Sequence, residues 1–231
     1  MRSNVISIIL FSLWISSCGN SIFEAAETTK DPAEEATRAL EEGDYETAIS
    51  VLTSALESEP TNYQYVSLLA SAKAQKAGVD TMDFALEMAS GNTSDSGITG
   101  LFSVVSDATA DNLTALGEAV DLMDTIPSSD QTAADQFKTS MFYTSLMTMR
   151  TKALDTDGDG VLSAEELANN LNDSNASDII NSIVGAEDAL ANYTADDGTG
   201  DAAGNVSAIK DAIDSQDGAT DAEKLRNYLG S

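Results

Sequence analysis

Apolar residues recur at every third or fourth position through most of the chain, which is the spacing of one helix face. The segment 130–153 predicts the longest helix, with a broad apolar face made of Phe137, Met141, Phe142, Leu146 and Met149. No alternation of apolar and polar residues runs long enough to predict a strand. The pattern therefore predicts an all-α protein, with further helices at 63–76, 98–106, 111–126, 163–171, 176–193, 205–214 and 220–229.

The composition agrees with a helical protein. The chain has 231 residues and is 42% apolar but only 6% aromatic, and Ala, Leu, Ile and Met dominate its apolar share. Ala and Leu favour helices, whereas strands favour β-branched and aromatic residues. Only three prolines interrupt the chain, at Pro32, Pro60 and Pro127. This length allows one large domain or two small ones with a genuine core.

A helical hairpin is predicted for residues 31–60. Asp31 followed by Pro32 is typical of a helix start, with a capping carboxylate before a proline in the first turn. Gly43 permits a tight turn between two helices, and Pro60 ends the second helix. These signals alone also fit any antiparallel pair of helices, so the hairpin is not by itself specific to one family.

Six positions of this hairpin resemble the second half of a tetratricopeptide repeat, namely Gly43, Tyr45, Ala48, Leu52, Ala55 and Pro60. The small residues of that pattern let two helices approach closely. The next helix, Tyr63 to Lys76, matches the first helix of a following repeat through Val66, Leu69 and Ala70. The resemblance covers residues 31–90 and implies antiparallel helical hairpins stacked into one array. A single repeat cannot bury its apolar face alone, so the helices of 91–231 are expected to stack on it.

The first residues form a targeting segment. Arg2 precedes a short apolar run from Val5 to Ile15, which is typical of a secretory signal and too short for a membrane span. The sequence Ile15-Ser16-Ser17-Cys18 resembles the lipobox of bacterial lipoproteins. The resemblance implies cleavage after residue 17, lipidation of Cys18 and a tether over 18–30, while Gly19 suggests outer-membrane sorting. An ordinary cleaved signal with a cysteine near the cut is the alternative.

The acidic loop, residues 155–166, carries the clearest chemical motif. Its positions 1, 3, 5, 6, 7, 9 and 12 are Asp155, Asp157, Asp159, Gly160, Val161, Ser163 and Glu166. This order resembles the EF-hand pattern at every specified position and implies a Ca²⁺ site made of these residues. Alternate carboxylates converge as the loop coils, the Val161 carbonyl adds an oxygen, Ser163 contributes directly or through water, and Glu166 closes the site with two oxygens.

The flanks of the acidic loop agree with this interpretation. Ser163 and Glu166 have the spacing of a capping box that opens the next helix, and Leu162 is expected to turn inward. A solvated acidic connection between two helices is the alternative. A second loop, 196–205, matches only in part: Ala202 and Ala208 stand where Gly and Glu are needed. Whether it is a weak second metal site stays open.

Composition also excludes several function classes. With 39 acidic and 11 basic residues the net charge is −28, which repels nucleic acid and attracts cations and basic partners. There is no histidine, and the single cysteine forms neither an internal disulfide nor a thiolate zinc site. Ser207 and Lys210 resemble the S-x-x-K motif of penicillin-recognising enzymes, but that family's other motifs and its sheet are missing. The chain is predicted not to be an enzyme.

Two functions remain from the sequence. The first is a non-enzymatic, lipid-anchored adaptor of the bacterial outer membrane, periplasm-facing or surface-exposed. It would bind another envelope protein through its helical-repeat surface and hold a structural calcium ion. The second is a periplasmic ligand-binding accessory lipoprotein of a solute transport system, resembling the repeat-containing lipoproteins that accompany some transporters. In that alternative Met141, Phe142, Met147 and Met149 would line a pocket rather than a core.

Overall fold

The computed structural model describes residues 31–80, 97–196 and 201–230, and every regular element in these ranges is a helix. The all-α prediction is confirmed. In chain order the elements are α1 Pro32–Glu41, α2 Tyr45–Ser58, α3 Tyr63–Lys76, a 3₁₀ helix Gly97–Val104, α4 Ala110–Asp124, α5 Ala133–Lys152, α6 Ala164–Asn170, α7 Asp173–Asp196, α8 Asp201–Asp214 and α9 Asp221–Leu229.

Several sequence predictions lie outside the described residues. These are the signal segment 1–17, the lipidation site Cys18 and the tether 18–30, together with the end of the repeat-like region, 81–90. Within the described ranges, no helix combines the length and the apolar character that crossing a bilayer requires.

Local signals set the ends of the first helices as predicted. The Asp31 side chain accepts a hydrogen bond from the backbone N–H of Ala33 at 3.0 Å, and Pro32 occupies the first helical position. Gly43 has φ +75°, a left-handed conformation that glycine adopts without strain, and it makes the turn into α2. Asp44 then caps α2 by accepting from the N–H of Thr47 at 3.1 Å.

The helices form an array of hairpins in which each packs on its neighbours. Helices α1, α2 and α3 contact one another, α3 packs on α4, and α4 packs on α5. The most extensive contact joins α5 to α7, and α7 in turn carries α8 and α9. The 3₁₀ helix lies against α5. Helix α5 therefore sits at the centre of the array, with the acidic loop at its C-terminal end.

The buried side chains fall into two clusters. The smaller lies between α1, α2 and α3 and is mostly alanine: Ala33, Ala36, Ala39, Ala48, Leu52, Tyr65, Leu69 and Ala72. The larger contains the big side chains of α5 and its neighbours, including Met141, Phe142, Met147 and Met149, each no more than 2% exposed. The interpretation of this Met and Phe face as core is confirmed.

Helix α5 also buries six hydroxyl side chains that the apolar pattern does not predict: Thr139, Ser140, Thr144, Ser145, Thr148 and Thr151. Most of them donate to a carbonyl oxygen one turn earlier, as Thr144 does to Ser140 and Thr148 to Thr144, both at 2.8 Å. These bonds offset the cost of removing a hydroxyl from water.

The prediction that 130–153 forms the longest helix is wrong, because α5 has 20 residues and α7 has 24. Helix α7 starts at Asp173, three residues before the predicted start. The Asn172 side chain accepts from the N–H groups of Ser174 and Asn175, at 3.0 and 3.2 Å, and so caps the helix. That cap extends the helix beyond its apolar stripe. The apolar stripe alone predicts the later start.

Candidate metal centre

Two buried leucines anchor the acidic loop. Helix α5 ends at Lys152, and the N–H of Asp155 still donates to the Lys152 carbonyl at 3.1 Å, so the loop starts directly from the helix. Leu154 is 3% exposed before the loop coils, and Leu162 is 6% exposed as it ends. The inward position predicted for Leu162 is confirmed. These anchors leave the seven residues between Leu154 and Leu162 coiled at the surface.

The three aspartates of the loop come together. Asp155, Asp157 and Asp159 each offer a carboxylate oxygen, and these three atoms lie within 4.8 Å of one another. Asp155 is half-buried, and the other two are exposed. Three negative charges at this separation repel one another, and a cation placed among them would remove the repulsion.

Backbone N–H groups of the loop orient Asp155. Its two carboxylate oxygens accept from the N–H groups of Gly158 and Gly160, at 2.8 and 2.9 Å. Both glycines have a left-handed backbone, with φ +74° and +81°. The sharp turn predicted at Gly160 is therefore present, and a second one occurs at Gly158. These turns aim the N–H groups inward and fold the loop around the first aspartate.

The other two aspartates each stabilise the next turn. One oxygen of Asp157 accepts from the N–H of Asp159 at 3.1 Å, and one oxygen of Asp159 accepts from the N–H of Val161 at 2.8 Å. Each bond uses a single carboxylate oxygen. The sequence pattern of alternate aspartates thus produces successive turns that keep the three carboxylates on the inside of one coil.

Glu166 ties the two ends of the loop together. One of its oxygens accepts from the N–H groups of Thr156 and Asp157, at 2.7 and 3.3 Å, and from the Thr156 hydroxyl at 3.1 Å. The other accepts from the N–H and the hydroxyl of Ser163, at 3.0 and 2.8 Å. The bonds from Ser163 and then Thr156 lower the pKa of Glu166 to about 2, so this carboxylate is charged at neutral pH.

The remaining predicted ligands have separate structural positions. Ser163 caps α6, because its hydroxyl accepts from the N–H of Glu166 at 3.2 Å, and the capping box predicted from the sequence is present. Val161 is 64% exposed, at the outer surface of the loop. The group brought within 4.8 Å contains the three aspartates, and Glu166 lies outside it, held by residues 156, 157 and 163.

The donor set fits a hard divalent cation. Carboxylate, hydroxyl and carbonyl oxygens are the ligands of Ca²⁺ and Mg²⁺, whereas the loop has none of the nitrogen and sulfur ligands that zinc and copper favour. Asp155, Asp157 and Asp159 would hold such an ion through carboxylate oxygens. Val161, Ser163 and Glu166 are the further ligands that the EF-hand resemblance implies.

Sequence reasoning missed two residues that support this loop. The motif leaves position 2 open, yet Thr156 there contacts Glu166 through both its N–H and its hydroxyl. Asn170, at the end of α6, donates to the carbonyl of Leu154 at 3.3 Å and joins the end of α6 to the entrance of the loop. Neither contact has a periodic signal, because each depends on how the loop folds back on itself.

The second candidate loop has a different structure. Residues 197–200 lie outside the described part of the chain, and helix α8 begins at Asp201. Residues 201–208, which would supply positions 5 to 12, are therefore helical and do not coil as an EF-hand loop does. In the same helix the S-x-x-K residues have separate partners. Ser207 donates to Glu187 at 2.8 Å and Lys210 to Asp214 at 2.7 Å.

Comparisons with known proteins add no family. Scanning the chain against models of protein families gives no match, and searches of curated proteins and of solved structures find no similar chain. The arguments about function therefore rest on the residues and geometry of this chain.

Proposed function

We propose that this chain is a non-enzymatic, lipid-anchored adaptor of the bacterial outer membrane, with a calcium ion stabilising its acidic loop. The observation that carries the calcium part is the convergence of Asp155, Asp157 and Asp159 within 4.8 Å inside a coiled loop between two helices. The lipobox motif ending at Cys18 supports the anchor. The hairpin array, with its resemblance to tetratricopeptide repeats, supports an adaptor.

Calcium would act here as a structural clip. The acidic loop is the whole connection between α5 and α6, and α5 is the central helix of the array. A cation that binds the folded loop better than the unfolded chain stabilises the protein by mass action. In an exported protein a weak site, with Kd on the order of 10⁻⁴–10⁻³ M, would suffice.

An acidic helical surface suits a basic protein partner. The net charge of −28 attracts positive surfaces over distances of roughly a Debye length, ~8 Å at physiological salt. A pull-down from detergent-solubilised envelope should therefore recover a protein, and recovery should fall as salt rises. The transport-accessory alternative would use the Met and Phe face of α5 as its pocket, but those side chains are packed in the core.

A thermal melt of residues 19–231 in EDTA, in millimolar calcium and in millimolar magnesium tests the clip. Millimolar calcium is a one- to tenfold excess over that Kd and should raise the free energy of unfolding by about 0.4–1.4 kcal/mol. Magnesium should do less, because it requires a smaller octahedral shell. The matched variant Asp157→Asn should lose most of the calcium effect. An equal melting temperature in all three buffers would show that the loop is only an acidic connection.

Metabolic labelling with a radioactive fatty acid in bacteria tests the anchor. The wild type should incorporate label and fractionate with the outer membrane, because two or three acyl chains give stable membrane binding. Cys18→Ser removes the only cysteine in the chain and should abolish labelling. Ser17→Ala keeps a small residue in the motif and is the control. An unlabelled, soluble wild type would contradict the proposed anchor and location.

A further inference from the structure

Lys152, the last residue of α5, contacts a second region besides the acidic loop. We call this region the connecting segment, residues 98–107, because it comprises most of the 3₁₀ helix and the residues that lead from it toward α4. The Lys152 ammonium donates to the carbonyl oxygens of Phe102, Val105 and Ser106, at 3.3, 3.2 and 3.5 Å. It also forms an ion pair with the neighbouring Asp107 at 3.6 Å. One lysine thus holds the end of the connecting segment against α5.

The connecting segment is attached in turn to the end of α3. The Ser106 hydroxyl donates to the carbonyl of Gly78 at 3.2 Å. Gly78 has φ +80°, and a Cβ atom at this position would overlap the Ser106 side chain, so the two residues fit only because Gly78 lacks a side chain. Contacts therefore run from α5, at the start of the acidic loop, through Lys152 and Ser106 to the repeat-like helices.

An open groove of about 690 Å³ separates the acidic loop from the connecting segment. Lys152 borders this groove together with Asp155 and Asp159 of the loop and with Phe102 and Asp107 of the segment. The lysine and the two aspartates of the candidate metal centre therefore share one solvent-filled space. The loop's negative charge attracts the same ammonium group that holds the segment.

We infer that Lys152 couples cation binding in the acidic loop to the attachment of the connecting segment. Without a cation, the clustered carboxylates draw the ammonium group across the groove, and its bonds to the segment weaken. A divalent cation neutralises the carboxylates, and the ammonium group stays with the carbonyl oxygens. This inference rests on the proposed calcium site and extends it, because the loop then also controls how firmly α3 and α5 are joined.

Hydrogen–deuterium exchange of the full-length protein in detergent, with and without millimolar calcium, measures this coupling. In the wild type, calcium should slow amide exchange in residues 98–107 by on the order of fivefold or more, the lower end of typical couplings. Lys152→Met should remove that calcium dependence. Lys210→Met is the matched control, because Lys210 is also a partly exposed, ion-paired lysine, and its partner Asp214 lies in the same helix, α8.

A second variant separates coupling from general loss of structure. Ser106→Ala keeps the Lys152 contacts and removes only the hydroxyl bond to Gly78. Calcium should still protect residues 98–105 in this variant, but protection at residues 77–79 should no longer depend on calcium. This result is informative even if Lys152→Met does not fold.

Calcium titration by calorimetry on the same samples distinguishes the two proposals. If the wild type binds calcium but residues 98–107 exchange at the same rate with and without it, the coupling is overturned and the calcium site stands. The same holds if Lys152→Met keeps the wild-type calcium response. If the wild type binds no calcium, both proposals are overturned.

Discussion

The first hairpin and the central helices achieve close packing with different side chains. Between α1, α2 and α3, five of the eight buried residues are alanine. Helix α5 instead buries methionine, phenylalanine and six hydroxyl side chains. Alanine has neither rotamers nor polar atoms, so its packing follows from spacing along the chain alone. Large and polar side chains need particular partners, and the chain must bring those partners from elsewhere.

The same contrast between near and distant partners separates Asp44, at the start of α2, from Glu166, at the end of the acidic loop. Asp44 caps α2 through Thr47, three residues away, and this local bonding lowers the pKa of Asp44. Glu166 instead receives bonds from Thr156 and Asp157, ten and nine residues away, as well as from Ser163. A capping bond needs only the first turn of its helix. The bonds that Glu166 accepts from residues 156, 157 and 163, which we call the Glu166 clamp, exist together only when the whole loop is coiled.

The largest expected loss of stability comes from placing a bulky side chain in the alanine-rich cluster between α1, α2 and α3. Ala48 is 0% exposed, and Ala48→Trp should lower the free energy of unfolding by about 3 kcal/mol or more, at or above the upper end of the overpacking range. Chemical denaturation measures it, and Ser54→Trp, at an exposed position of α2, is the control. Equal stability of the two variants would mean that α1, α2 and α3 do not pack through small residues.

A smaller loss of stability is expected where Gly185 of α7 packs against the Tyr143 ring of α5. A Cβ atom on Gly185 would lie 2.5 Å from the ring of Tyr143, whose hydroxyl is held by Asp124 at 2.6 Å. Gly185→Ala should therefore destabilise the protein by about 1–3 kcal/mol. Gly117→Ala, in α4 with open space around it, should instead stabilise by up to about 1 kcal/mol. Two stabilising substitutions would contradict the close packing of α7 on the Tyr143 ring.

The smallest effect is the pH dependence of the Glu166 clamp. Hydrogen bonds lower its folded pKa from 4.5 to about 2. The clamp therefore contributes stability fully above pH ~4.5 and loses it as the pH falls toward 2. Wild type and Glu166→Gln, compared by urea denaturation in EDTA, should differ most near pH 6–7, and the difference should shrink below pH ~4.5 and nearly vanish toward pH 2. A difference that stays constant with pH would show that the charge of Glu166 is not what holds the loop.

Elements with local signals could be predicted well from the sequence. Helix α3 runs from Tyr63 to Lys76 as predicted, because Asn62 caps its start and Gly78, with φ +80°, follows its end. Helix α6 begins after the predicted capping residue Ser163. Helix α7 starts at Asp173 and α8 at Asp201, earlier than the sequence predicts, because the first turns of both helices carry no large apolar residue and lie outside the apolar stripe.

The candidate site divides in the same way. The motif gave the positions of the three aspartates and of Gly160, since each sets a turn within a few residues. It did not reveal that Thr156 bonds to Glu166 or that Asn170 donates to the carbonyl of Leu154. Those contacts join residues ten to sixteen positions apart and have no repeating pattern in the sequence.

From the sequence alone one can predict that this protein is helical, where most helices lie, and which loop gathers carboxylates. All of these follow from periodicity, caps and turns that act within about one helical turn or one loop. The folded structure is needed to see that α5 is central, that α7 packs along it against Tyr143, and that Lys152 holds residues 102–107. Such contacts join residues some forty to fifty positions apart, and their energy depends on which surfaces meet rather than on any local pattern.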